Sequence, residues 1–388
     1  DLDGLVDVPT PSRLEVMPYI STKATRAPGS SADPFYSKTD LKPSIGGDLR
    51  YGLPGGLTLT ATVNPDFGQV EVDPSVVNLS AFETFFPEKR PFFLEGSDIF
   101  SFGQVTTHND YGSQYYLYSR RIGRQPQLFP GDPNIDFVSS PDQTTIAGAA
   151  KITGKTGPWT LGVIDAVTPQ EHADVQLSDG TRTTSPVEPL TNYFASRVRR
   201  DFRAGETVIG GMVTSTVRDV SNSVFTDALR RDATFGGIDF EHSIEKKKWV
   251  TSGFLAGSHV TGSAASIAAT QLNSTHYFQR PQADYIDYDP TRTSLDGHIG
   301  ELAVARNGSV FGSVAYKEAS PGLELNDMGF IGRSDYRATS VLIGYQDYNA
   351  GKRFQNFTHY VYANQAYNFG GLSTLRSGAL GLNWTLLN

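Results

Sequence analysis

The chain has 388 residues, no cysteine and a formal net charge of −8, from 33 basic and 41 acidic residues. This acidic balance argues against a nucleic-acid partner, because proteins that neutralise phosphates are normally basic. The missing cysteines exclude disulfides, thiolate metal ligands and a cysteine nucleophile. No apolar stretch approaches the ~18 residues that a membrane-spanning helix needs.

In chain order, the dominant pattern is an alternation of side-chain character at every second residue, which predicts β-strands. The first predicted strand is Leu14–Thr25, and similar alternation recurs in residues 56–64, 193–202 and 310–317. The last predicted strand covers residues 373–387. Such segments are longer than the ~5–6 residues of a usual strand in a soluble protein.

Short turns and long polar connections alternate between these predicted strands. Glycine and Asn-Gly turns provide the positive φ angles that tight hairpins need. The short turns are residues 53–56, 155–157, 203–206, 245–248, 306–308 and 349–351, and the long connections are residues 168–190, 219–231, 262–295 and 320–335.

The alternation predicts an all-β protein whose residues 1–388 form one antiparallel transmembrane β-barrel of roughly 16 strands. Outer-membrane barrels have short periplasmic turns and long external loops. Strands cross hydrocarbon only as a closed barrel, because every backbone N–H and C=O there needs a partner. Arg197, Arg199 and Asp201 share one face of a predicted strand, which fits a wet lumen better than a dry core.

Residues 64–102 break the pattern, because they are dense in proline, phenylalanine and acidic side chains. Together with LEVMPY at residues 14–19 and YSRRIG at residues 118–123, this segment resembles an uncharacterised bacterial outer-membrane β-barrel family. The resemblance covers about the first third of the chain and assigns no activity. It implies an N-terminal module similar to family-nine carbohydrate-binding modules, which is not present in residues 1–388.

The end of the chain departs from the pattern of outer-membrane barrels. Residues 386–388 read LLN and lack the terminal aromatic side chain common in such barrels. We therefore expect further strands after Asn388.

Residues 64–102 are also a candidate plug or constriction inside the barrel. Bidentate arginine–carboxylate pairs are directional and would fix such a segment, and its phenylalanines are expected to pack together. The competing interpretation is an external loop followed by a strand at residues 92–102, which the alternation of turns and loops favours. The candidate lumen ion pairs involve Glu83, Glu88, Glu95, Arg120, Arg121, Arg197, Arg199 and Asp201.

No residue is assigned a catalytic, cofactor-binding or metal-binding role. The sequence has no G-x-S-x-G or H-E-x-x-H motif, and its seven histidines include no pair four residues apart. Asp284, Asp287 and Asp289 are closely spaced, but Pro290 stands where the glycine turn of a calcium loop would form. We expect no cofactor.

The predicted function is that of a channel or transport-related protein in the bacterial outer membrane, with a partly occluded lumen. Its expected partners are membrane lipid and lipopolysaccharide. The main alternative is a structural or assembly partner of other envelope proteins or glycans. A third alternative is a barrel-borne hydrolase of glycans or lipids, which requires a histidine or serine beside a carboxylate in one cleft.

Overall fold

The structure is a computed structural model that describes residues 13–26, 28–65, 77–105, 114–281, 283–348, 351 and 353–387. It contains 17 strands and three α-helices in this part of the chain. The helices are α1 (Pro91–Leu94), α2 (Ser223–Thr226) and α3 (Ala264–Leu272). The strands are β1 (Leu14–Thr25), β2 (Asp40–Gly52), β3 (Leu57–Val63), β4 (Ile135–Ser139), β5 (Gly148–Thr156), β6 (Trp159–Thr168), β7 (Glu171–Leu177), β8 (Arg182–Glu188), β9 (Thr191–Phe202), β10 (Thr207–Arg218), β11 (Asp232–Ile244), β12 (Trp249–Thr261), β13 (Ser294–Arg306), β14 (Val310–Ala319), β15 (Tyr336–Asp347), β16 (Phe354–Tyr367) and β17 (Ser373–Leu386).

Fourteen of the strands form one sheet in the order β1-β2-β3-β5-β6-β9-β10-β11-β12-β13-β14-β15-β16-β17, and the other three form a small sheet in the order β4-β7-β8. All of the strand pairs are antiparallel. The predicted all-β antiparallel architecture is therefore confirmed. The large sheet has fewer strands than the roughly 16 predicted, and the predicted long connection at residues 168–190 contains the hairpin of β7 and β8.

The strand expected at residues 92–102 is wrong. This stretch forms α1 and then a 3-10 turn at Ser97–Phe100. Pro91 occupies the first helical turn, where its missing N–H costs nothing. Gly96 has a φ of 67°, a left-handed conformation that interrupts an extended chain.

The short turns lie at one end of the large sheet, and the long connections lie at the other. The turn between β2 and β3 shows why it is tight, because Gly55 and Gly56 have φ angles of 80° and 83°. The connection between β16 and β17, residues 368–372, is the short exception at the long-connection end. Among the described residues no ladder joins β1 to β17, so barrel closure stays a prediction.

The two faces of the large sheet are opposite in character to those of a soluble protein. On β13 and β14, the charged side chains of Glu301 and Lys317 are each only 8% exposed. On the other face of the same strands, the apolar side chains of Leu302 and Val314 are each 54% exposed. We call these the packed face and the open face.

The open face carries large aromatic side chains near the short-turn ends of the strands. Trp159 and Trp249 begin β6 and β12, and Trp384 lies near the end of β17. All three are at least 37% exposed. In the part of the chain that the structure describes, no helix is both long and apolar enough to span a membrane.

Candidate occlusion site on the packed face

Part of the long connection between β3 and β5 folds onto the packed face. We call its residues 77–105 and 114–122 the first covering segment. The Phe102 ring lies 5.7 Å from the Phe235 ring on β11 and 5.7 Å from the Phe254 ring on β12. The segment is thus anchored to the middle of the sheet by aromatic packing. Its buried aromatic side chains are Phe93, Phe100, Phe102, Tyr116 and Tyr118.

The phenylalanines of this segment do not pack only with one another. Phe92 and Phe93 are in edge-to-face contact, with ring centroids 5.0 Å apart. The Phe85 ring instead stacks on Tyr115 at 4.3 Å and meets the edge of Phe330 at 5.4 Å. The aromatic contacts therefore reach a second part of the chain.

Glu88 and Arg90 form a buried ion pair inside the first covering segment. Arg90 Nε donates to Glu88 Oε1 at 2.8 Å, and Nη2 donates to Oε2 at 2.7 Å. Arg90 also donates to the carbonyl oxygens of Ser119 and Ile122, each at 2.7 Å. Burial by itself would raise the pKa of Glu88, but the hydrogen bond and charge of Arg90 and the Ser119 hydroxyl lower it to about 2. The pair closes the loop between residues 88 and 122.

Arg121 connects the first covering segment to the connection between β14 and β15. Its Nη1 and Nη2 donate to the two carboxylate oxygens of Glu83 at 2.7 and 2.8 Å. Its Nε donates to the Gly329 carbonyl at 3.0 Å, and Nη2 also donates to Asn326 Oδ1 at 3.2 Å. The Arg121 side chain is only 6% exposed, so its guanidinium replaces water contacts with these fixed acceptors.

We call residues 320–335 the second covering segment. Its Phe330 exchanges two backbone hydrogen bonds with Tyr115, at 2.7 and 3.0 Å. Gly297 on β13 permits close approach of this segment, because a Cβ atom at that position would lie 2.2 Å from Leu323 Cα. Sequence reasoning missed the segment and treated it as a polar connection. The overlooked signal is its run of apolar side chains, namely Leu323, Leu325, Met328, Phe330 and Ile331.

A buried ionic cluster ties the second covering segment to the sheet. Asp327 Oδ1 lies 2.8 Å from Arg218 Nη1 at the end of β10, and its Oδ2 accepts from Arg230 Nε at 2.8 Å. Burial would raise the pKa of Asp327, but the charges of Arg230 and Arg218 hold it well below its usual range. Burial would likewise lower the pKa of Arg230, but the charges of Asp327 and Glu324 raise it. Asp327, Glu324 and Arg230 therefore keep their charges when buried.

His276, Glu324 and Ser334 resemble a hydrolytic triad in composition but not in access. His276 Nε2 lies 3.2 Å from Glu324 Oε2, and His276 Nδ1 lies 3.3 Å from Ser334 Oγ. The Ser334 hydroxyl has carbonyl acceptors at Thr275 and Pro321, each at 3.0 Å. The side chains of His276 and Glu324 are 0% and 1% exposed. Both side chains are thus shielded from solvent by the described residues, and the arrangement holds the connections together.

The remaining candidate residues contact several parts of the chain. Arg197 forms a bidentate pair with Asp239 at 2.8 and 2.6 Å and donates from Nε to the Ser101 carbonyl at 3.0 Å. Glu95 pairs with Arg50 on β2 at 2.9 Å, which makes it the partner of a residue that sequence reasoning did not name.

Three candidate residues remain: Arg120, Asp201 and Arg199. Arg120 donates to the Pro87 carbonyl at 3.0 Å, within the first covering segment. Asp201 pairs with Lys155 at 2.6 Å at the short-turn end. Arg199 Nε is buried and has no hydrogen-bond partner among the described residues.

A cavity of about 910 Å³ remains between the first covering segment and the packed face. Its charged side chains are engaged: Lys151 donates to the carbonyl oxygens of Phe92 and Glu95, and Lys317 donates to Gln114 Oε1 at 2.6 Å. Among the described residues no group of three histidine, aspartate or glutamate side chains could hold a metal ion. The cavity is lined by aromatic rings and paired charges, including Phe93, Phe100, Tyr116, Tyr118, Lys151 and Lys317.

Comparison with known proteins gives one family and several solved structures. The model of the family described as "Domain of unknown function (DUF5916)" matches residues 10–378. A porin structure refined at 1.8 Å shares 10% identity, with a TM-score of 0.34 over 95% of this chain and 98% of that chain. The outer membrane channel DcaP of Acinetobacter baumannii shares 10% identity, with a TM-score of 0.33 over 95% and 96% of the two chains.

A third solved structure is the open form of the ferric-catecholate import receptor Fiu from E. coli K12. It shares 11% identity, with a TM-score of 0.35 over 97% of this chain and 62% of that chain. No curated protein sequence matches the chain.

Proposed function

The chain belongs to the DUF5916 family. We propose that it is a transport-related outer-membrane β-barrel whose lumen is partly occluded by the two covering segments. The observation that carries this proposal is the inverted character of the two faces. Buried charges such as Glu301 and Lys317 alternate with exposed apolar side chains such as Leu302 and Val314. Such a sheet is stable where lipid covers the open face and the polar face is turned inward.

The placement of the connections supports an outer-membrane orientation. Six turns between consecutive strands are short at one end of the sheet, and the long connections lie at the other end. This asymmetry is typical of outer-membrane barrels, in which the short turns face the periplasm. In this proposal, phospholipid and lipopolysaccharide cover the open face, and the sheet closes into a barrel.

The position of the covering segments favours a gated or narrow lumen and argues against a wide open pore. They cover the middle of the packed face with aromatic rings, and Arg121 connects them to each other. A solute that crosses the lumen would have to displace at least one segment or pass through the cavity beside it.

Conductance in planar bilayers tests this proposal, and the missing cysteines provide a clean background. Tyr115 and Phe330 form a hydrogen-bonded antiparallel pair, for which the Cα atoms lie about 5.5 Å apart. That spacing suits a disulfide. We expect the Tyr115→Cys/Phe330→Cys double variant to stay at the low wild-type conductance when oxidised and to conduct more when reduced, because four ring contacts are lost.

The matched control is each single cysteine variant, for which oxidation should change nothing. Equal conductance of the oxidised and reduced double variant would argue against occlusion by these segments. Absence of current from every form would favour the alternative role as an assembly partner. A protein that stays monomeric in water without detergent would contradict the membrane proposal itself.

A further inference from the structure

A notch interrupts the open face near the short-turn end of β12 to β15. Trp249, Arg306, Gly312 and Ile343 lie directly opposite one another on the four successive strands. Gly312 has no side chain, so a gap opens between Arg306 and Ile343. The resulting groove has a volume of about 250 Å³ and is lined mainly by Val304, Val310, Val314 and Ile343.

Arg306 lies at one edge of this notch, and its guanidinium has a donor nitrogen without a hydrogen-bond partner among the described residues. This nitrogen, Nη1, is buried. The guanidinium lies 5.8 Å from the centre of the Trp249 ring. No carboxylate of the described residues forms an ion pair with it. A guanidinium on a lipid-covered face is energetically unfavourable when no anion neutralises it. We therefore expect an anion to bind at Arg306.

The chemistry of the notch specifies its ligand. An anion is needed at Arg306, and an apolar chain is needed over Gly312. A glycerophospholipid combines both, because its phosphodiester accepts hydrogen bonds from a guanidinium and its acyl chain fills an apolar groove. In the proposed orientation the short-turn end lies in the periplasmic leaflet of the membrane. That leaflet consists of glycerophospholipids.

A second arginine on the open face provides an internal comparison. Arg200 lies opposite Trp159, with its guanidinium 5.0 Å from that ring, as Arg306 lies beside Trp249. On its other side, however, Arg200 is opposite Ile209 on β10, where Arg306 is opposite Gly312. The Ile209 side chain occupies the position that is open in the notch. Arg200 therefore has the aromatic neighbour without the groove.

We propose that the notch over Gly312 is a binding site for one glycerophospholipid, with the phosphodiester on Arg306 and an acyl chain between Val314 and Ile343. This inference rests on the proposed membrane function, because only a lipid-covered open face would present the site to a phospholipid.

Native mass spectrometry of the detergent-solubilised chain, titrated with palmitoyl-oleoyl-phosphatidylglycerol, tests the site. We expect Arg306→Gln to weaken the tightest lipid-binding event about tenfold, because a charge-assisted hydrogen bond is lost. Val314→Phe keeps the arginine but fills the groove, and should weaken the same event. Arg200→Gln is the matched control and should leave it unchanged.

The outcomes separate the site from the function on which it rests. Unchanged lipid binding in both Arg306→Gln and Val314→Phe would overturn the site, and so would an equal loss in Arg200→Gln, which would indicate general charge attraction. The thermal midpoint of each variant in detergent checks that the fold is kept. If the chain needs no detergent and binds no phospholipid, the proposed membrane function fails as well.

Discussion

The two covering segments occupy the same face of the sheet but are held there differently. The first is held by aromatic rings and by hydrogen bonds that sheet side chains such as Arg197 donate to its backbone, and its ion pair of Glu88 with Arg90 lies within the segment itself. The second is held by Asp327, whose partners Arg218 and Arg230 belong to the sheet and to a neighbouring connection. The first segment therefore keeps its Glu88–Arg90 ion pair when it leaves the sheet, whereas withdrawal of the second separates Asp327 from the arginines that neutralise it.

The largest expected effect comes from breaking the ionic cluster of the second segment. Asp327→Ala leaves Arg218 and Arg230 buried without their carboxylate, a change that typically costs about 3–5 kcal/mol. The free energy of unfolding, measured by urea titration in detergent, should fall by that amount. The control is Asp227→Ala, at an exposed position of the same connection as Arg230, which should change stability by less than about 0.5 kcal/mol. Similar losses in both variants would contradict the assigned role of the cluster.

Arg121→Gln should uncouple the two segments from each other. It removes charge-assisted hydrogen bonds to Glu83 and to the Gly329 carbonyl, and because the Glu83 side chain is 48% exposed we expect a total loss of roughly 1.5–3 kcal/mol. We expect a smaller loss of stability than for Asp327→Ala but a larger rise in single-channel conductance, because the sheet keeps its cluster. Arg120→Gln, one residue earlier, is the control, since its bonds to Pro87 stay within the first segment. A conductance that rises as much in the control would refute the coupling.

The stability of the first covering segment should depend on pH through the ionisation of Glu88. Its pKa falls from an ordinary 4.5 to about 2 in the folded chain. A lowered folded pKa means that the stabilisation is complete above pH 4.5 and is lost as the pH falls towards 2. Wild-type conductance should therefore stay low at pH 4 and rise below pH 3, whereas Glu88→Gln should show higher conductance at pH 7 and a weaker dependence. A wild-type transition above pH 5 would need another titrating group.

The smallest expected loss of stability comes from a variant that separates polar contacts from ring packing within the first covering segment. The Tyr118 hydroxyl donates to the Phe86 carbonyl at 2.9 Å and accepts from the Phe86 N–H at 3.1 Å. Tyr118→Phe keeps the ring packing and removes both bonds, which should cost roughly 0.5–1.5 kcal/mol. Urea titration measures the loss. A change as large as that of Asp327→Ala would mean that the first segment depends on polar contacts more than on its aromatic rings.

The strands could be predicted from the sequence because their pattern is local. The predicted first strand coincides with β1, and the predicted last strand, residues 373–387, coincides with β17 to within one residue. Alternation at every second residue reports directly which face is covered. The strand predicted at residues 92–102 was wrong because Pro91 and Gly96 impose local turns that outweigh its apolar content.

The site was less predictable because most of its partners, apart from Glu88 and Arg90, are far apart in the chain. The carboxylates at residues 83, 88 and 95 contact Arg121, Arg90 and Arg50, and the last two partners were not among the residues singled out. Nothing in the local sequence tells a carboxylate which of several arginines will lie beside it. The second covering segment was missed for a similar reason, since its place depends on the missing side chain at Gly297.

The lengths of the two connections set how far each segment could travel. The first belongs to residues 64–147, between β3 and β5, and the second to residues 320–335, between β14 and β15. Both connections join neighbouring strands, so in the proposed barrel the longer connection would allow the larger displacement of its covering segment from the sheet. If the proposed transport function holds, passage of a large solute would depend on displacement of the first covering segment, while the second stays in place.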